Sequence, residues 1–280
     1  MHEDDPLWPE IDEAGARIDR RSYIWVCVLD EEDPVWSSFK DRLLENSGRV
    51  SSRAVYSEEE LKRAPYLEII ARGHHGYPQP ERNFGYVKEV YEKKGYCEGC
   101  GIGARQKAPF RIRKEFGARH SHFLQLNWVF DEFFVRAPVV EALIDAGVTG
   151  ISWQAPVIHK SGAPSAEVEQ MMVENSMMPS LDAKGFPTVT CKANNEEGRP
   201  HQEGDSGPYC GRMKFHRNPA LQLRFDASTF ECTPDIVKTA EWFGSGGSAF
   251  RLILVSQKVY RLITEAGWRG VEFEPVKLVS

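Results

Sequence analysis

Apolar and polar positions alternate along this chain in short runs, and the period of each run sets the element it predicts. Residues 22–29 are rich in β-branched and aromatic side chains and stop at an acidic cluster, which reads as a strand. Over 35–46, Val35, Phe39, Leu43 and Leu44 fall on one stripe at helical spacing. Ser57-Glu58-Glu59-Glu60 has the form of a capping box, opening a short helix that Pro65 stops. Residues 66–71 are largely apolar and fit either a helix or a strand. Residues 74–84 carry Gly and Pro at the density of a loop. Residues 1–95 therefore read as an α/β region.

From Cys97 onward one pattern occurs twice. Its first pass holds Cys97-Glu98-Gly99-Cys100-Gly101, Trp128 and the run Phe133-Phe134-Val135. Val140, Leu143 and Ile144 follow at the i, i+3, i+4 spacing of one helix face. Gly147 then ends the helix, and Gly150 opens a strand from Ile151. The second pass holds Cys210-Gly211, Trp242, the run 252–255, then Val259, Leu262, Ile263, Gly267, Gly270 and a strand from Val271. Pro138 suits a first helical turn, Ser256 an N-cap, and the two glycines the left-handed end of a helix. The expected organisation is an N-terminal region 1–95, a first repeat half 96–160, a connecting segment 161–190 and a second, degenerate half 191–280. The connecting segment holds a turn at 161–164 and strands within 166–173 and 186–190. Residues 192–208 are nearly free of apolar side chains and read as a mobile insertion separating Cys191 from Cys210. The expected fold class is α+β: zinc-ribbon-like knuckles in a pseudo-duplicated strand–helix–strand region after an α/β N-terminal part.

Composition narrows the setting. The 280 residues are 41% hydrophobic and 27% charged, ordinary for a folded protein with a real core. No apolar run approaches the roughly 20 residues that span a bilayer. The acidic start lacks the basic and apolar regions of a secretory signal, so the expected compartment is the cytoplasm. Six cysteines in a reducing compartment do not form a disulfide framework, and a Cys-x-x-Cys pair there reads as metal-binding or redox-active.

Two thiols with glycines between and after them form a knuckle that can turn both sulfurs toward one ion. Cys191 and Cys210 are the candidates for the other half. The expected site is one structural zinc held by Cys97, Cys100, Cys191 and Cys210, whose four thiolates leave no open position. A redox pair belongs at a helix N-terminus, where the dipole lowers the thiol pKa; Gly101, Gly103 and Pro109 oppose a helix here. His120 and His122 would share a strand face and, with His201 and His216, are alternative ligands. His74 and His75 read as solvated loop residues, and Cys27 and Cys232 as small buried hydrophobes. Asp131 and Glu132 would point to opposite sides of a strand, poor geometry for paired acid–base catalysis. The Gly/Ser run 244–248 lacks the Lys-Ser/Thr of a phosphate loop and reads as a hairpin turn. No catalytic constellation is visible.

Two function classes remain. Arg105, Lys107, Arg111, Arg113, Lys114 and Arg119, with Phe110 and Phe116 nearby, could track a nucleic-acid backbone. The net charge of −6 opposes that use and suits a basic protein partner instead. A protein-binding module would present an acidic surface, including Glu196, Glu197, Glu203 and Asp205. The knuckle 97–101, the split pair Cys191…Cys210-Gly211, Glu241-Trp242-Phe243-Gly244 and the closing Gly267-Trp268-Arg269-Gly270-Val271-Glu272-Phe273 resemble the double-CXXCG motif family. The resemblance covers about residues 95–280, and the displaced first cysteine of the second motif is its departure. That family is abundant as paralogues in myxobacteria, and some members look like immunity partners of swarm-inhibition toxins. The resemblance implies an immunity protein whose partner is a cognate toxin.

Overall fold

The computed structural model describes residues 52–118, 120–191 and 210–280, with two strands and four single positions before residue 52. The chain divides into two compact units, 1–53 and 54–280. In the first, β1 (Arg17–Arg21) pairs antiparallel with β2 (Ile24–Val28), and β2 lies inside the run predicted as a strand. Of the helix expected over 35–46, Trp36 and Asp41 are described, and both are helical.

The second unit is a mixture of helix and sheet, consistent with an α+β fold, and it starts upstream of the boundary expected at 95. Helix α1 (Glu58–Arg63) follows from its capping box: the Ser57 hydroxyl accepts from the Glu60 N–H, and the Glu60 carboxylate accepts from the Ser57 N–H at 2.7 Å. Ala64, held extended before Pro65, ends it. The run after the proline is a strand, β3 (Tyr66–Ala71), and a short helix, α2 (Tyr86–Val90), comes after the Gly- and Pro-rich loop.

Two four-stranded antiparallel sheets carry most of this unit. One has the order β5 (Phe123–Leu124), β6 (Phe133–Arg136), β9 (Val168–Val173), β7 (Ile151–Gln154), with helix α3 (Ala137–Asp145) joining β6 to β7. The other has the order β13 (Ile236–Lys238), β14 (Ile253–Ser256), β3, β15 (Val271–Pro275), with helix α4 (Gln257–Glu265) joining β14 to β15. The same strand–helix–strand unit thus occurs twice, and each leaves a one-strand gap between its two strands. β9 fills the gap in the first sheet and β3 the gap in the second. Yet β3 precedes the first unit in sequence, and β9 precedes the second. The two halves exchange their leading strands.

Flanking elements match as well. β4 (Arg111–Ile112) pairs parallel with β8 (Val157–Ile158), as β12 (Arg224–Asp226) does with β16 (Lys277–Val279). Contacts between the halves are reciprocal: the Phe123 N–H donates to the Arg269 carbonyl at 3.0 Å, and the Ile236 N–H to the Thr149 carbonyl at 3.1 Å. Such reciprocity is the mark of a twofold interface. It explains two glycines. A Cβ on Gly150 would sit 2.0 Å from the Ile236 carbonyl oxygen, and one on Gly270 would sit 2.1 Å from that of Phe123. Only glycine allows the halves to cross this closely.

On the two helix faces Leu143, Val259 and Ile263 are buried as the sequence predicts, and Val139 and Tyr260 take the places expected of the remaining residues. α3 buries Val139 and Leu143, and α4 buries Val259, Tyr260 and Ile263, while Ile144 is 57% exposed and Val140 and Leu262 are only partly buried. The glycines at the two helix ends set the true alignment: counted back from Gly147 and Gly267, Val139 matches Val259 and Leu143 matches Ile263. Ser256 stands at the N-cap position, but its hydroxyl donates to Asp235 at 2.7 Å. The faces of both helices meet strands of both sheets in one core that includes Leu67, Phe133, Val255 and Met171.

Gly150→Ala and Gly270→Ala should each cost about 3 kcal/mol or more, because strain and overlap with a carbonyl act together. Gly162→Ala, also at positive φ but facing open space, should cost only about 1–2 kcal/mol. Denaturant unfolding measures all three, and equal losses would contradict the close crossing.

Candidate metal centre

Each half contributes one thiol pair, set by the same backbone turn. In the first, the Cys97 N–H donates to the Ile102 carbonyl at 3.0 Å and the Gly101 N–H to the Cys97 carbonyl at 2.8 Å. In the second, the Cys191 N–H donates to the Arg212 carbonyl at 2.9 Å and the Gly211 N–H to the Cys191 carbonyl at 3.2 Å. Gly101 and Gly211 have φ of 77° and 68°, the left-handed values the turn requires. The second turn survives the intervening residues because β10 (Thr188–Thr190) and β11 (Met213–Phe215) pair antiparallel and hold its two ends together. Residues 192–209, with the acidic Glu196, Glu197, Glu203 and Asp205 and with His201, lie outside the described residues.

The structure brings all four predicted cysteines together. Their sulfurs lie within 4.8 Å of one another, with Cys97 to Cys191 at 3.8 Å and Cys100 to Cys210 at 3.7 Å. A tetrahedral thiolate site with metal–sulfur bonds of about 2.3 Å has sulfur–sulfur edges of about 3.8 Å, whereas a disulfide would require about 2.05 Å. The donor set fits a metal ion with affinity for sulfur. It is well enclosed: Cys97 and Cys100 are 4% exposed and Cys191 is 9% exposed.

Burial raises the Cys100 and Cys191 thiols, so both resist ionising in the apo protein. Cys210 goes the other way. Desolvation opposes its ionisation, but hydrogen bonds from the Arg212 side chain and backbone outweigh it and bring the thiol down to about 6. Arg212 also clamps the two knuckles: its Nε lies 3.3 Å from the Cys210 sulfur, and its other end donates to the Gly95 and Ile102 carbonyls at 2.8 and 2.9 Å. Lys214, 1% exposed, donates to the carbonyls of Cys100, Gly246 and Ser248 at 3.3, 2.5 and 2.9 Å. It fixes the 244–248 turn, a hairpin closed by Phe243 and Phe250 as predicted, onto the first knuckle.

The other candidates stand apart. Among the described residues no histidine joins the cysteine cluster. His120 is exposed, and His122 Nδ1 accepts from the Arg269 N–H at 3.2 Å. Cys232 is exposed rather than buried, because it follows a turn in which Phe230 takes the inward position. The side chain of Cys27 and all of Arg119 lie outside the described residues. Arg105, Lys107, Arg113 and Lys114 do face solvent, but Phe110 and Phe116 are 0% and 6% exposed and cannot stack on bases.

A second feature escaped the sequence reading. Beside the knuckles lies a cavity of about 1330 Å³, lined from both halves. Asp131 and Glu132 precede β6 rather than lying in it, so they do not diverge: both carboxylates meet Lys238, at 3.7 and 2.5 Å. Gln170 donates to Glu132 at 2.9 Å and, through Gln106, is linked to Gln154. Across the pseudo-twofold, Arg217 meets Glu68 at 3.0 Å and Glu274 at 2.5 Å. Glu68 and Glu274 face each other across β3 and β15 as Gln170 and Gln154 do across β9 and β7. Burial raises the Glu132 carboxyl, and it raises Glu68 to about 6 against the pull of Arg217. The available signal was a lone polar residue inside an apolar run, as at Glu68 and Lys238.

No protein-family model matches this chain, and no curated protein matches it.

Lys238→Met should cost about 3–5 kcal/mol by stranding Glu132; Lys238→Met with Glu132→Gln should recover part of that loss in urea unfolding. Cys97→Ser should lower the melting temperature of metal-loaded protein and remove its response to chelator, whereas Cys232→Ser should change neither, because metal binding is coupled to folding only at the four-thiol site.

Proposed function

We propose that this chain is a zinc-stapled, non-enzymatic module that binds a protein partner in the cytoplasm, and that the partner is a cognate bacterial toxin it neutralises. The observation that carries the binding role is an exposed aromatic rim at the cavity mouth. Phe84 is 55% exposed and Tyr77 and Phe130 are each 37% exposed, and Tyr77 and Phe84 both pack on Trp128. Exposed Tyr and Phe around a half-buried Trp, in one patch beside a pocket, are the composition of interface hot spots. Zinc suits the four-thiolate set, which offers no position to a substrate and so serves structure. It ties the two knuckles together beside the cavity that the first of them, through Glu98 and Gly101, helps to line. The resemblance to the double-CXXCG motif family supplies the toxin. The nucleic-acid reading keeps its exposed charges but loses its aromatic half.

Elemental analysis of protein purified without chelator should find about one zinc per chain; none would remove the staple. Co-expression with the toxin-like protein encoded beside this gene should restore growth and yield a complex on size exclusion, and Trp128→Ala should weaken both. Neither rescue nor complex would overturn the reading.

A further inference from the structure

Resting on that reading, we propose that the aromatic mouth of the cavity receives one arginine side chain of the partner. Trp128 is the centre of the mouth. Tyr77 and Phe84 pack on it at 4.5 and 4.6 Å between ring centroids, and Tyr86 stacks at 6.2 Å with planes 17° apart. The wall continues inward through Tyr91 to Tyr96, each step 6.3 Å. Phe130 carries the rim across to Phe250 at 5.3 Å. Ring faces attract cations, and a guanidinium stacks on them with little desolvation cost.

Charge selects the occupant. Asp131 and Glu132 lie at this end, and two carboxylates share the single ammonium of Lys238. Burial holds the Tyr86 and Tyr91 phenols well above their ordinary range, and Asp131 raises both further. Of the other cations lining the cavity, Lys88 and Arg105 are exposed, Arg217 is held by Glu68 and Glu274, and Arg251 lies against Ser176 and over the Trp242 ring at 5.5 Å. Arg251 on Trp242 shows the fold already seating one guanidinium on an indole. The aromatic end offers the same surface, with a carboxylate behind it, to solvent. Its two central rings are also held in costly backbone: Phe84 and Trp128 have φ of 51° and 67°, left-handed values that bulky residues rarely adopt. Strain of this kind persists where a ligand clamp is preset. Arginine is favoured over lysine because its planar fork can stack and still bond a carboxylate with two N–H groups.

The test uses the full ¹⁵N-labelled chain, with the Trp128 indole signal assigned from Trp128→Phe. Capped pentapeptides with a central Arg, Lys or Glu between glycines are titrated in turn, alongside free arginine and spermidine. The Arg peptide should shift the Trp128 indole saturably, the Lys peptide more weakly and the Glu peptide not at all. Asp131→Asn should weaken the Arg peptide about fivefold while the spectrum stays that of a folded chain, with changes confined to the neighbourhood of Lys238 and Arg251. Phe84→Ala, at an exposed position, gives a second variant with the same expectation. No saturable shift, or an equal response to Glu, overturns the proposal. Free arginine or spermidine binding as tightly as the peptide overturns the partner's side chain as occupant. A toxin complex indifferent to Trp128→Ala overturns this anchor and leaves the binding role standing; peptide binding without any toxin complex does the reverse.

Discussion

The exchanged strand is the constraint on which the rest of the molecule depends. A strand–helix–strand unit whose two strands lie one strand apart cannot close its own sheet. The missing strand must run antiparallel between them and satisfy backbone groups on both sides. β3 and β9 do this, each for the half it does not precede. Both knuckles follow an exchanged strand in sequence, Cys97 after β3 and Cys191 after β9. A four-thiolate cluster therefore joins the two segments that cross between the halves. A metal bound there would bridge two turns in the folded chain and, if it stayed on the thiols, would close a long loop in the unfolded one.

Local chemistry was legible where it is decided within a few residues. The capping box at Ser57 and Glu60, the strand in 22–29, the hairpin at 244–248 and the helix-ending Gly147 and Gly267 are all set by neighbouring side chains. The cysteine set was legible too, because a knuckle with half a tetrahedron implies the other half. The exchange was not: β3 and β9 have the same composition whichever sheet they enter, and only long-range pairing decides between them. On α3 apolar residues outnumber the buried ones, so Val140 and Ile144 could pass for core beside Leu143, which is buried as expected. Glu132 and Lys238 were missed because their partnership spans 106 positions.

Buried charge follows one rule in both halves, with two carboxylates to each cation. Arg217 serves Glu68 and Glu274, and Lys238 serves Asp131 and Glu132. Such clusters tend to cost stability relative to an apolar core of the same volume. They are tolerable here because the paired strands hold the partners in place and further donors, such as Gln170, complete the lone pairs. Gln106, Gln154 and Gln170 occupy the first half's corresponding place with a neutral network. Neutral and charged versions of the same strand position both occur in this one fold, so the strand pairing itself does not require the charge.

That asymmetry separates scaffold from site. Positions that match across the pseudo-twofold, such as Gly150 and Gly270 or Leu143 and Ile263, answer to packing that both halves share. Positions that differ are free of that demand. Gln125 bridges to His74 where Lys238 bridges to Ser176, and only the second places an ammonium between Asp131 and Glu132. The strained aromatic pair of Phe84 and Trp128 belongs to the first half alone, while the second presents the Gly/Ser turn and the Arg251–Trp242 stack. A symmetric scaffold would put equal chemistry on both sides of its axis. Here the strained aromatic faces lie on one side only, while each charge cluster sets one cation between two carboxylates, so the asymmetry rests on the aromatic residues and not on the buried charge.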